Sequence, residues 1–280
     1  MSHTIIFLHI LKTAGTTLQA IISRQYAPSV LFFFGADAFA SLDQFINLPT
    51  VEKKTLKVVA GHFSYGIHEY IPNSYSYFTF LRNPVELIIS FYYFVRRIPE
   101  HYLNQLTLEQ NISLHDFVLS NQTLTLDNIQ TRFISGTWPE IPIGEITQEI
   151  FDRAVLNLYS FDVVGITEEF DRSLEILKAT YFWCIDNYSA LNITPDRPRQ
   201  NEIDPEIIKA IQMRNHWDMK LYEIAKEINK KQYQKVLILK YVKKIACSIF
   251  RVLNRIPIIR RLLLAGNVKE QMGVLFRRML

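Results

Sequence analysis

The sequence predicts an α/β protein in which a mostly parallel central sheet is layered between helices and followed by a basic helical tail. Three observations carry this reading. Short β-rich apolar runs alternate with longer helical patterns along residues 4–229, the order that builds parallel sheets. A glycine-containing loop joins the first strand pattern directly to the first helix. The charge balance then changes sign near residue 230.

The elements follow in order. Residues 4–10 form an apolar strand pattern, the loop LKTAG follows, and residues 16–26 continue as a helix. A second strand is expected at 30–34, a helix at 37–48 and a buried strand at 56–60 that ends at Gly61-His62-Phe63. Residues 75–81 are an aromatic-rich strand ending at Arg82. Asn83 then caps a helix over 85–97, with Pro84 at its first position and Glu86 where a capping box places its acid. Helices at 113–120, 127–134 and 147–158 precede a strand at 161–166 and a helix at 167–182. One further helix is predicted over 204–229, with Asp204 as cap and Pro205 just inside it.

With 280 residues, 49% of them hydrophobic and 21% charged, the chain can bury a large core. Its two cysteines, Cys184 and Cys247, are far apart and lack ligand-like neighbours. That pattern speaks against a disulfide framework or a zinc site and suits a reducing compartment. The opening MSHTIIFLHILKTAG lacks a basic n-region and a cleavage site, so it reads as a first strand and not as a signal peptide or anchor. A cytoplasmic location is expected. Residues 230–280 hold thirteen Lys and Arg against one acid, Glu270, a net +12, which leaves −8 of the chain's +4 on residues 1–229. The chain therefore divides into an acidic body, 1–229, and a basic tail, 230–280.

In HILKTAGTTL, Lys12, Thr13, Ala14, Gly15, Thr16 and Thr17 lie between strand and helix. Such a junction offers backbone N–H groups, hydroxyls and a lysine to an anion. A plain strand–turn–helix with a surface lysine is the competing reading. The Lys precedes the Gly, so this is not a Walker A loop. In FLRNPVELIISFYYF, Ser90 follows Arg82 by eight residues, about two helical turns, so both reach toward one end of the sheet.

These two segments resemble the 5′-phosphosulfate and 3′-phosphate motifs of the carbohydrate sulfotransferases. DNIQTRFISG, VVGITEEFDRSLEIL and NHWDMKLYEIA are similar to further segments of that family, in the expected order across most of residues 4–229. The branch they most resemble includes heparan sulfate 2-O-sulfotransferase and its bacterial relatives. Leu11 stands where the family commonly has Pro, which frees a rigid φ at the loop entrance without deleting a polar contact.

The resemblance implies a P-loop-related fold that uses 3′-phosphoadenosine 5′-phosphosulfate (PAPS) as donor and a carbohydrate hydroxyl as acceptor, with no metal. On these positions, Lys12, Thr13, Ala14, Gly15, Thr16 and Thr17 hold the 5′-phosphosulfate, while Arg82 and Ser90 hold the 3′-phosphate. Lys12 stabilises the leaving oxygen. His62, in a Gly-His segment between the two motifs, is the expected general base. A turn-capping histidine is the alternative.

His68 is a second candidate base, and His9 reads as structural; His101, His115 and His216 lack supporting context. Arg132 is read either as an anion contact or as a solvated helix residue. Arg197 and Arg199 are placed in a loop over the nucleotide's 3′ side, and Phe91, Tyr92, Tyr93 and Phe94 in the core.

The tail mixes apolar residues with Lys and Arg and has no charge-free stretch of about 20 residues. It reads as an amphipathic helix on an anionic membrane surface, or packed on its own domain, or drawn to an acidic glycan. Nucleic acid is not an expected partner, because the body is acidic. A nucleotide kinase would need GK[ST] and metal-holding acids. A non-catalytic glycan or membrane binder on a degenerate site is the other alternative.

Overall fold

The computed structural model describes residues 2–35, 37–109, 111–186, 188, 198 and 202–253, with side chains as far as Ala246 in the last helix. Arg197, Arg199 and tail residues 254–280 lie outside the described residues. Five strands, β1 (His3–Leu8), β2 (Leu31–Phe33), β3 (Val58–Gly61), β4 (Ser74–Leu81) and β5 (Val163–Ile166), form one sheet in the order β2-β3-β1-β4-β5. Every neighbouring pair is parallel. Ile6, Phe7 and Leu8 of β1 are all buried, as expected where helices cover both faces. Each such side chain contributes about 1.5–3 kcal/mol.

Ten α-helices are described: α1 (Gly15–Gln25), α2 (Ala38–Asn47), α3 (Thr50–Thr55), α4 (Pro84–Arg97), α5 (Leu114–Leu119), α6 (Ile129–Ser135), α7 (Gln148–Tyr159), α8 (Phe170–Tyr181), α9 (Pro205–Arg214) and α10 (His216–Leu253). The caps explain most of the starts. Asp37, Ser113 and Thr147 each accept from an N–H of the first turn. Asn83 accepts from the N–H groups of Val85 and Glu86.

Two expectations change here. The predicted capping box at α4 does not form: the Asn83 N–H is bonded by Glu168 Oε1 at 2.9 Å, and Glu86 turns to Arg82 at 3.7 Å. The single helix expected over 204–229 is two, broken at Asn215. The Asn215 carboxamide leaves the helical path for α6, accepting the Asn128 N–H at 2.9 Å. In return Asn128 Oδ1 accepts the N–H groups of Trp217 and Asp218 and caps α10.

By internal contacts the chain divides into two compact units, Met1–Lys230 and Lys231–Leu280. In the first, a core from Ile6 to Ile228 spans the sheet and its helices. In the described part of the second, Leu237, Ile238, Tyr241, Val242 and Ile245 are exposed on α10.

Candidate active site

Parallel register brings three strand ends together. Leu8 is level with both Gly61 of β3 and Thr79 of β4. Whatever follows those strands therefore gathers at one edge: the loop 9–14, His62 and Arg82. The connections also diverge there. From β1 the chain leads toward β2, and from β4 toward β5. A crevice opens at such a switch point, outside the carboxyl ends of the strands.

The loop is tightly curled. Lys12 and Ala14 both lie in the left-handed region, with φ of 63° and 64°. That is uncommon for residues bearing a Cβ, costs about 1–3 kcal/mol each, and concentrates at binding sites. Ala14 provides no side-chain cap for α1, and the first turn, Gly15, Thr16 and Thr17, lines the cavity with the positive end of the helix dipole.

Gly15 is required by close packing. A Cβ built there would sit 1.7 Å from His9 Nε2. Gly15→Ala is therefore expected to cost about 2 kcal/mol or more, roughly 4–8 °C in Tm. In a His9→Ala background the same substitution should cost little, a coupling that paired thermal melts measure.

His62 follows β3 and stacks on His9, with ring centroids 4.2 Å apart. Its Nδ1 lies 2.7 Å from the His9 carbonyl oxygen. A carbonyl only accepts, so Nδ1 carries the proton and donates, leaving the Nε2 lone pair as the basic site. Burial holds the His62 pKa below the ordinary imidazole value, an effect the His9 carbonyl partly opposes. His9 is held further below by burial, then by the charges of His62 and Lys12. Its Nδ1 is buried without a hydrogen-bond partner among the described residues.

Arg82 meets the loop directly: its Nη1 donates to the Lys12 carbonyl at 3.0 Å. Gln130 grips the Arg82 backbone from both sides, Oε1 accepting its N–H and Nε2 donating to its carbonyl, each at 2.9 Å. Glu168 Oε2 accepts from Tyr222 Oη at 2.9 Å while its other oxygen holds Asn83. Asp218 accepts the Gln130 N–H at 3.0 Å and both the N–H and the hydroxyl of Thr131 at 2.7 Å. Burial nonetheless pushes the Asp218 carboxyl up to about 6. Residue type alone gives no signal for Gln130, Glu168 and Asp218, although each lies in a segment that shares the family resemblance.

A cavity of about 1240 Å³ joins these groups. Lys12, Ala14, Gly15, Thr16, Thr17, His62, Arg82 and Ser90 all line it. Its volume exceeds the roughly 300–1,000 Å³ of sites for one small ligand and leaves room for two reactants. Thr13 is the exception among the expected loop residues: its hydroxyl donates to the Ile10 carbonyl at 2.8 Å, and its side chain is buried.

Other side chains stand differently from their sequence reading. Phe91 is buried in the core as expected and also lines the cavity, whereas Phe94, packed against that core, lines the cavity with Lys12 Nζ over its ring at 4.0 Å. His9 and His101 line it too. His68 pairs with Tyr77 Oη at 3.0 Å, outside the cavity wall. Arg132 is neither solvated nor in the cavity. It is fully buried, paired with Asp127, and donates to the carbonyls of Asp127, Ile141 and Pro142.

Fold and site together define an α/β protein with a crevice at the switch point of its sheet. Residues 1–138 match the model of the Sulfotransferase family, a span that includes the loop, His62, Arg82 and Ser90. No curated protein matches the chain. Among solved structures, the chain is similar to mouse sulfotransferase SULT7A1 complexed with PAP: 11% identity over 83% of this chain and 89% of that one, with a TM-score of 0.45.

Proposed function

We propose that this chain is a PAPS-dependent sulfotransferase acting on a carbohydrate hydroxyl. The observation that carries the reading is the convergence of Lys12, Arg82, Ser90 and His62 on one cavity, with the family match over the same residues as support. Sulfuryl transfer is an in-line displacement governed by positioning and charge stabilisation, like phosphoryl transfer. The loop N–H groups, Thr16 and Thr17 hold the phosphosulfate end, and Arg82 with Ser90 holds the 3′-phosphate. His62 Nε2 takes the acceptor proton as the new O–S bond forms. The bond from sulfur to the bridging oxygen breaks, and Lys12 stabilises the charge left on that oxygen.

Calorimetry with PAP against ADP, followed by transfer of labelled sulfate from PAPS to a glycan panel, tests this. Tighter binding of PAP with label in the acceptor supports it. PAP binding without transfer to any acceptor would favour a non-catalytic binder, and failure to bind PAP sinks the reading.

For the tail we propose a peripheral site on an anionic membrane, at the cytoplasmic face. At 100° per residue, Leu237, Ile238, Tyr241, Val242 and Ile245 fall within one side of α10, with Lys243 opposite, Lys240 and Lys244 along the flank, and exposed Leu239 on the lysine side. No helix is long and apolar enough to cross a membrane among the described residues. The full chain is expected to co-sediment with phosphatidylserine vesicles at low salt and to be released by high salt. Equal binding to neutral vesicles, or none to either, excludes the charge-based mode.

A further inference from the structure

Beyond His62 the cavity has an aromatic wall, and we infer from it that the acceptor is an uncharged pyranose ring and not a polyanionic glycan. The inference rests on the sulfotransferase reading above and sharpens its acceptor.

The Trp138 ring lies between those of Phe133, at 4.9 Å, and Phe39, stacked at 5.4 Å with a 17° tilt. All three line the cavity. The row is fastened to the chain just after His62. Ser64 Oγ donates to the Trp138 carbonyl and the Tyr65 N–H to the Phe133 carbonyl, both at 2.8 Å. Gly136, at φ 80°, permits the approach: a Cβ there would meet the Tyr65 carbonyl oxygen at 2.8 Å. The aromatic row is thus tethered to the segment that directly follows the base.

Phe39 ends the row and is 58% exposed. Its ring offers a π-face to the C–H groups of a sugar, whose partial positive charge the ring quadrupole attracts.

Charge decides between acceptors. Among the described residues lining the cavity, Lys12 and Arg82 are the only lysine and arginine, and both sit at the donor junctions. The aromatic end instead carries Asp37. Its Oδ1 already accepts from the Ala40 N–H at 2.9 Å, and a carboxylate has further acceptor sites for a sugar hydroxyl. Sulfate or uronate groups would meet no lysine or arginine of the described lining at this end, against a body of net charge −8 on residues 1–229.

The test compares neutral pyranosides with sulfated and uronate-rich glycans as acceptors for the full chain, at low and physiological salt. Neutral acceptors should be preferred in kcat/KM, with little salt dependence. Phe39→Ala should raise the acceptor KM roughly five- to tenfold while PAP affinity by calorimetry stays unchanged, and Phe39→Trp should retain the wild-type KM. Preference for the polyanion, or an unchanged KM in Phe39→Ala, overturns the inference while leaving the donor reading intact. Loss of PAP binding in the wild type overturns both.

Discussion

Lys12→Ala is expected to lower kcat for sulfuryl transfer by about 10²–10³-fold, as for loss of one preorganised oxyanion donor, while PAP affinity falls less than tenfold. The asymmetry follows from the loop. On the proposed reading, the first turn of α1 and the Arg82–Ser90 end still bind the nucleotide, whereas the lysine charge matters most as the leaving oxygen develops charge. Lys12 Nζ rests on the Phe94 ring at 4.0 Å, a contact of about 0.5–1 kcal/mol where solvent has access. It can therefore be given up when an anion arrives. Lys12→Arg should not restore the rate, because a planar fork on a left-handed residue cannot present the same point charge. Steady-state kinetics beside calorimetry on the same preparations decides. An alanine variant keeping more than a tenth of wild-type kcat would remove Lys12 from the chemistry.

The second large effect is expected at His62. His62→Ala should lose about 10²–10⁴ in kcat, the usual worth of a general base, without loss of PAP binding. His62→Gln should not rescue it, since an amide is not a base. The active form is the neutral ring. Because burial lowers its pKa, that form persists below the ordinary value of 6.5, and the acid limb of the rate profile should lie below that pH. Stability moves in the same sense. His9 and His62 both have lowered folded pKa values, so below 6.5 the unfolded chain binds more protons and stability is lost as the pH is lowered. Circular dichroism at each pH separates the two losses. An acid limb that survives in His62→Ala would assign the titration to another group.

Features that depend on neighbours along the chain are legible in the amino-acid sequence. The β1–α1 and β4–α4 junctions, the Asn83 cap and the Asp204 cap are local, and each stands close to its expected place. The second partner of a long-range polar contact is not legible in this way. Glu86 has the spacing for a capping box, but Glu168, 85 residues away from Asn83, reaches that N–H first. Arg132 carries a charge that usually marks a surface, yet Asp127 and three carbonyls satisfy it inside the core. Phe94 reads as core by hydrophobicity, and only the approach of Lys12 shows its place on the cavity wall. Gln130 and Asp218 have no signature in isolation, because their roles exist only once α6, α10 and Arg82 are assembled.

The bond from Arg82 to the Lys12 carbonyl has a thermodynamic corollary. On the proposed reading, a guanidinium recruited by the 3′-phosphate redistributes hydrogen bonds it also lends to the neighbouring loop, so occupancy of one end alters the free energy of filling the other. Linkage makes this reciprocal: whatever factor the 3′-phosphate adds to capture of the 5′ end, the 5′ end returns. Discrimination against nucleotides lacking that phosphate is then a property of the joined pair, larger or smaller than the sum of its halves.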